Sequence, residues 1–454
     1  MLPQQIIIRA VDDRLRRAPR YDMYRDYEQG RHKHPYATPA FRKKYGWVLS
    51  QARLNACSQV RTNFTDLVQV QAWSGPGAET AERIAEDIDL ARTLDLAVNE
   101  SWRAGDAYIM VWPDADGVNR AWYHRADQIS LRYDPERPGR LLEAVKLWVT
   151  DDGYGRANVY TSTHVHRYLT GVKVRSDGTG YTDWTQVRSV ATWVPYTDET
   201  GAADLKHSFG RVPFVHLPYD QQAEGGYGRS ILRDIIPLQD ALNHAAHSLI
   251  VSTEKQAREF RALFNYQPEQ SLNPATGQFE SKPLRLDDTT NSVVGIPGEG
   301  PMQQFDPVAP NGLLEIKRSH FADIANTVGM PVSDILPDLG NVPSGAALRV
   351  LASRRTNAVR NYTRAITGAL RDLMGMLGAD AYPKWVDPAP TDETERIAHA
   401  QAKLDVGYPL IEVLADLGES PDAIERITSA IANQTAAFAA AGRALLSEPE
   451  VMGG

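Results

Sequence analysis

The stretch Gly225–Phe260, GGYGRSILRDIIPLQDALNHAAHSLIVSTEKQAREF, constrains the fold more than any other part of the chain. It opens on a glycine cluster and then keeps one apolar seam. Ile231, Ile235, Leu238, Leu242, Ala245 and Leu249 follow at steps of 4, 3, 4, 3 and 4. That spacing places all six on one face of an α-helix. Such a helix is about 45 Å long at ~1.5 Å per residue. The seam is too thin for a helix buried all round, and the flanking charges forbid a membrane span. A long helix of this kind packs against copies of itself or against another long helix. Pro237 lies inside the pattern, so a kink or a junction is expected there.

The parts before this stretch read as a mixed α/β body. Residues 1–45 are basic and aromatic, with eleven Lys/Arg against five Asp/Glu. They suit either a nucleic-acid- or partner-binding arm or a segment lying over a domain surface. Ala78 to Ala104 has helical spacing and stops near Gly105. Short β-type runs follow: Ala107–Trp112, Arg120–His124, Glu143–Val149, Val159–Tyr160, His164–Leu169, Ala191–Val194 and Phe214–Leu217. Turn-forming clusters separate them. Eight of the nine tryptophans precede residue 200, so this half holds the aromatic core.

After the opening helix, Tyr266–Pro310 is rich in Pro, Gly, Asn and Asp and suits a small projecting module. A second helix is expected over Asn311–Val328, with Leu314, Phe321, Ile324 and Val328 as its seam. The loop GMPVSDILPDLGNVPSG (residues 329–345) separates it from a third, Ala346–Leu377, with Ser344 as N-cap. That helix carries Arg349, Arg354, Arg355, Arg360, Arg364 and Arg371 against one acid, Asp372. These arginines suit contact with DNA phosphates or with carboxylates of a neighbouring subunit. Residues 390–454 hold four Lys/Arg against eleven Asp/Glu, nearly the whole formal charge of −8.

Catalytic patterns are missing. Gly225, Gly226 and Gly228 lack the spacing and lysine of a phosphate loop, and there is no G-x-S-x-G elbow. His244 and His247 lie one turn apart near Asp240, which makes a metal site geometrically conceivable but weakly supported. No cofactor or metal is expected. The single cysteine, Cys57, excludes an internal disulfide and suits a buried, inert thiol. Met1–Ala10 does not read as a signal peptide, and no run of ~18 apolar residues suggests a membrane span.

The order of parts resembles a known family. The motifs are G-Y-G-R-S-I-L-R-D-I-I-P-L-Q-D-A-L-N (Gly226–Asn243) and G-N-V-P-S-G-A-A-L-R (Gly340–Arg349). With the α/β body ahead and the long helix behind, they are similar to the portal proteins of tailed bacteriophages with long non-contractile tails. The resemblance implies an α+β portal fold: a mixed α/β wing (1–227), a stem helix (228–258), a small α/β clip (259–310) and a second stem helix (311–328). A tunnel loop (329–345), a long wing helix (346–385) and an α-helical crown (386–454) follow. It implies a homo-oligomeric ring, usually of twelve subunits, at one capsid vertex of the virion, assembled in the host cytoplasm. Double-stranded DNA would pass through its channel without sequence specificity. Partners would be the terminase large subunit, a head–tail adaptor, and the major capsid protein with its scaffold.

On that reading the DNA-facing residues are Pro337, Asp338, Asn341, Val342, Ser344 and Gly345. Stem contacts between subunits fall to Ile231, Ile235, Leu238, Leu242, Leu249, Leu314, Phe321 and Ile324. Arg349, Arg354, Arg355, Arg360 and Arg364 would be inter-subunit or DNA-proximal. A phage-head-associated enzyme and a DNA-binding protein are the alternatives. The missing motifs disfavour the first and the negative charge the second.

Overall fold

The computed structural model describes residues 2–32, 53–175, 182–197, 202–223, 226–256, 311–336, 345–389, 393–419 and 421–446, with shorter pieces between them. It divides into two compact units, one of Met1–Val342 with Arg354–Val386, the other of Pro343–Ser353 with Asp387–Gly454.

The first unit begins with helix α1, Pro3–Glu28, followed by α2, Ala56–Thr65. Asn55 caps α2 by accepting from the Ser58 amide at 3.0 Å. Strand β1, Val70–Ser74, precedes α3, Ala78–Asp87, and α4, Leu90–Ala104. The continuous helix expected over Ala78–Ala104 is therefore two. Asp89 takes φ 49°, a left-handed conformation that aspartate tolerates and a helix does not.

Strands β2 (Asp106–Pro113) and β3 (Asn119–His124) pair antiparallel. A six-stranded antiparallel sheet follows, built from β4 (Ile129–Tyr133), β5 (Leu141–Val149), β6 (Tyr154–Tyr160), β7 (His164–Lys173), β8 (Trp193–Pro195) and β9 (Asp204–Lys206). In β6 the buried residues Gly155, Ala157 and Val159 alternate with half-exposed ones, as a one-faced strand requires. Strand β10, Phe214–Pro218, returns to pair with β2.

Ile6, Ile7, Ala10 and Val11 of α1 bury themselves on the sheet against Val145, Leu147, Ala157 and Trp193. Arg9–Glu143 and Arg14–Asp127 pairs fasten the same helix. Of the two readings of the basic amino-terminal stretch, residues 3–28 follow the second and lie over the domain.

Helix α5 covers Ile236–Gln256. It starts at Ile236, so Pro237 opens the helix and does not kink it. The missing proline N–H is one that a first helical turn leaves unpaired anyway. Residues 231–235 form turns ahead of it, which shortens the helix expected from Gly228 onward.

The excursion that follows is, among its described residues, made of strands alone: β11 (Phe260–Phe264), β12 (Gln270–Leu272), β13 (Phe279–Ser281), β14 (Arg285–Asp287), β15 (Ser292–Ile296) and β16 (Gln303–Gln304). Strands β11 and β15 run parallel, and β12–β13 is a separate hairpin. Helix α6, Asn311–Val328, packs against α5. Helix α7, Gly345–Leu377, leads to β17, Tyr382–Trp385, which pairs with β1.

The second unit holds α8 (Glu393–Asp405), α9 (Leu410–Leu417) and α10 (Pro421–Leu446). Helix α9 packs on both others. Lys403 and Asp416 pair at 2.6 Å.

The central core gathers Trp102, Phe64, Tyr362, Leu370 and Leu232 from widely separated elements. Trp102 is wholly buried and stacks on Phe64 and Tyr219, with centroids 5.0 and 4.1 Å away. Cys57 lies in the same core, and burial pushes its thiol up to about 12, so it is unreactive.

His124, at the end of β3, is buried beside Phe214, with ring centroids 6.0 Å apart. Burial, with Lys146 adding repulsion, pushes its pKa down to about 3. The unfolded chain binds this proton near pH 6.5 and the folded chain does not. Stability should therefore fall as pH drops below ~6.5, by about 2 kcal/mol at pH 5 relative to pH 7.5. Thermal melts across pH 5–7.5 should show this loss, and His124→Phe should flatten it. An unchanged slope in His124→Phe would assign the acid sensitivity elsewhere.

Candidate assembly and channel residues

The glycine-rich motif before α5 is a knot of backbone and buried polar groups. Gly105 ends α4 with φ +96°, and Gly228 lies directly against it. A Cβ on Gly228 would meet the carbonyl oxygens of Gly105 and Tyr219. The two segments are stitched by Tyr219 N to Gly105 O and Arg229 N to Tyr219 O, both 2.8 Å.

Asp106, fully buried, accepts from Tyr21 Oη at 2.7 Å and from the Gly228 amide at 2.8 Å. His216 Nε2 lies 2.8 Å from the same carboxylate, and its Nδ1 lies 2.7 Å from Tyr133 Oη. With a proton on Nε2 the ring donates to Asp106, and Nδ1 and Tyr133 Oη share the second hydrogen bond.

Asp13 forms a second hub, accepting from Arg17, Ser130 Oγ (2.8 Å) and Tyr227 Oη (2.6 Å). The Arg17 guanidinium also sits 3.8 Å over the Tyr227 ring. Burial pushes the Tyr227 phenol up to about 12, so it stays a donor.

Further along the motif, buried amides hold α5 to Leu54 and to the first turn of α2. Gln239 Oε1 accepts from the Ala56 and Cys57 amides at 2.8 and 3.3 Å, and its Nε2 donates to Leu54 O at 2.9 Å. Asn243 Oδ1 accepts from the Leu54 amide at 2.9 Å. Periodicity does not reveal these roles, because a polar residue inside an apolar helix pattern looks like an exposed position. Its partners are nearly 200 residues away in sequence.

The seam divides by position. Ile231, Ile235 and Leu242 of the first half, and Ile324 near the end of α6, are buried in the chain's own core. Leu238 and Phe321 pack against that core, half-buried. The expectation that this seam meets neighbouring helices more than its own domain is therefore corrected for Ile231, Ile235, Leu242 and Ile324. Residues 231–235 and the flanks of α5 and α6 lie beside Trp102 and α2, whose apolar surface they must cover. Leu249 remains half-exposed, and Leu314 and Ile316 are 40% and 48% exposed.

Of the loop residues, Pro337, Asp338, Asn341, Val342 and Ser344 lie outside the described residues. Gly345 is the first residue of α7. The arginines of α7 separate. Arg355 is ion-paired to Asp334 and mostly buried. Arg354 packs on Gly329, at the end of α6, and reaches Asn326 O. Arg360 and Arg364 are exposed and Arg349 is half-exposed. Asp240 accepts from Tyr27 Oη at 2.9 Å. Among the described residues no group of His, Cys, Asp or Glu is placed to hold a metal ion. No helix among them is long and apolar enough to cross a membrane.

Residues 10–389 match the model of the family described as phage portal protein, SPP1 Gp6-like. The chain belongs to this family. That match spans the α/β body, both helices around the β module, and the long helix. This portal protein is thus a phage virion component, of the kind that forms a ring at one capsid vertex.

Similar solved structures include the neck of a native gene transfer agent particle computed with C12 symmetry. It is 16% identical, with 85% of this chain and 94% of that one covered and a TM-score of 0.44. The neck of the empty particle, computed with C6 symmetry, is 17% identical over 80% and 89%, at 0.46. An HK97 family phage portal protein from Corynebacterium diphtheriae is 11% identical over 83% and 100%, at 0.33. No curated protein matches the sequence.

Proposed function

We propose that the chain acts, without enzymatic activity of its own, as one of twelve subunits of a portal ring that conducts double-stranded DNA. The ring docks the terminase large subunit during packaging and a head–tail adaptor afterwards. It assembles in the host cytoplasm with the major capsid protein and scaffold. Membership of the portal family over residues 10–389 carries this reading. The small β module held between α5 and α6 supports its use as the clip, and Leu249, Leu314 and Ile316 supply apolar surface for contacts between stems. In this reading the 329–345 loop faces DNA, with Pro337, Asp338, Asn341, Val342, Ser344 and Gly345 nearest to it. Arg354, Arg360, Arg364 and Arg371 of α7 are exposed, Arg354 beside Gly329 and Arg371 paired with Asp380, so Arg360 and Arg364 are offered for contact with DNA or a neighbour. A net charge of −8 lets DNA slide, since phosphate attraction is strong per contact.

Negative-stain images of the purified protein should show rings with a central hole. Monomers or dimers at every salt and protein concentration would sink the portal reading. Insertion of a bulky tripeptide after Asn341 should leave the rings intact and block DNA packaging in an infection assay. Normal packaging would reassign the loop.

A further inference from the structure

The two ends of helix α4 lie beside surfaces of opposite charge. At its amino-terminal end, it and α3 present Glu79, Glu86, Asp87, Asp89 and Asp95, all exposed. None of the five has an ion-pair partner among the described residues. Partial burial, with Asp66 and Asp89 nearby, holds the Asp95 carboxyl above its usual range, as crowded like charges should. Arg83 and Arg92 on the same two helices leave the surplus negative.

At the other end, Ala104 lines a cleft of about 750 Å³ with Arg16, Arg20, Arg229 and Arg233 around Tyr24. The acids near it cancel these cations only in part: with Arg17, five arginines line the cleft against Asp13, Asp220 and Asp234. Asp13 is held at 2.7 Å by Arg17 and lies 3.6 Å from Arg16. Asp220 and Asp234 stand 3.4 and 4.0 Å from Arg229, and Asp234 stands 3.8 Å from Arg233. Arg20 has no carboxylate within ion-pair reach among the described residues.

Helix α4 has 15 residues, which makes it about 22 Å long. The two charged patches therefore cannot neutralise each other within one copy. Between copies they can. A head-to-tail ring needs two different, complementary patches on every subunit. We propose that the acidic α3–α4 shoulder of one copy seats in the Arg16–Arg20–Arg229–Arg233 cleft of the next. This rests on the ring reading above and names one of its contacts.

The test is a charge swap on the full chain, read by native mass spectrometry and negative stain. Arg20→Glu with Arg233→Glu should raise the protein concentration needed for rings by about tenfold or more, as should Glu86→Lys with Asp87→Lys. The four changes together should restore assembly, and all three variants should keep the natural circular dichroism spectrum. Natural rings should weaken in 1 M salt, where the Debye length is about 3 Å.

Natural assembly in both reversal pairs, or no rescue in the combination, overturns the proposal. So does an Arg20→Glu/Arg233→Glu chain that forms rings normally but loses binding to a duplex DNA fragment, because DNA is then the occupant. If a reversal variant does not fold, Arg20→Gln/Arg233→Gln and Glu86→Gln/Asp87→Gln take its place, and unaltered rings in both overturn it equally. A natural chain that never forms rings overturns the portal reading as well. Natural rings indifferent to these charges overturn the interface alone.

Discussion

Gly228→Ala is expected to lower the first thermal transition by on the order of 10 °C and to leave little assembly-competent protein. The added methyl meets the carbonyl oxygens of Gly105 and Tyr219, which are backbone and cannot rotate away. Moving the strands apart would break the Tyr219–Gly105 and Arg229–Tyr219 hydrogen bonds, and the Gly228 amide would leave Asp106. Overpacking of this kind, with loss of buried hydrogen bonds, costs about 3–5 kcal/mol. Gly368→Ala is the control, because a Cβ there has no neighbour within 4 Å and the residue lies inside α7. It should melt at or slightly above the natural temperature. Equal melting of the two alanine variants would remove the packing argument.

Asp106→Ala should be as severe for a different reason. The side chain is completely buried and serves Tyr21, His216 and the Gly228 amide. Its removal strands three buried polar groups, at a cost of about 3–5 kcal/mol. Residues 226–230 would lose their anchor. Trypsin should then cut at Arg229 and Arg233 much faster than in the natural chain, at a temperature where both are folded. Asp106→Asn keeps one acceptor and should fall between the two. Unchanged cleavage in Asp106→Ala would show that the glycine contact holds the segment by itself.

Much of the architecture was legible because the signals are local. The strands at 107–112, 120–124 and 143–149 announce themselves by β-type runs between turns. The three long helices announce themselves by their apolar spacing, and the β module by its Pro, Gly, Asn and Asp content. Elements with short or mixed signals were missed. Strands β1 and β17 have five and four residues. They become strands only because each finds the other, more than 300 residues away in sequence. The break at Asp89 was equally hidden, since a single left-handed residue leaves the helical spacing on either side nearly intact.

The candidate site was legible as a motif but not as a mechanism. Gly226–Asn243 stood out for its glycines and its seam. What each residue does depends on atoms brought from elsewhere: Gly105 under Gly228, Asp106 at its amide, Asp13 at Tyr227, and Leu54–Cys57 under Gln239 and Asn243. The seam shows the same limit. Helical periodicity reveals that one face is apolar, but it cannot say which surface covers that face.

The sequence by itself determined the order of parts, the long amphipathic helices, the acidic carboxyl end, the inert lone cysteine and the portal resemblance. All of these are properties of neighbouring residues or of simple composition. Only the tertiary structure decided that Ile231, Ile235, Leu242 and Ile324 serve the chain's own core, that Pro237 begins its helix, and that Arg355 is spent on Asp334. It also decided that α4 separates an acidic shoulder from an arginine cleft. Burial, close backbone approach and charge pairing depend on distances in space, and those are set only when segments far apart in the chain pack together.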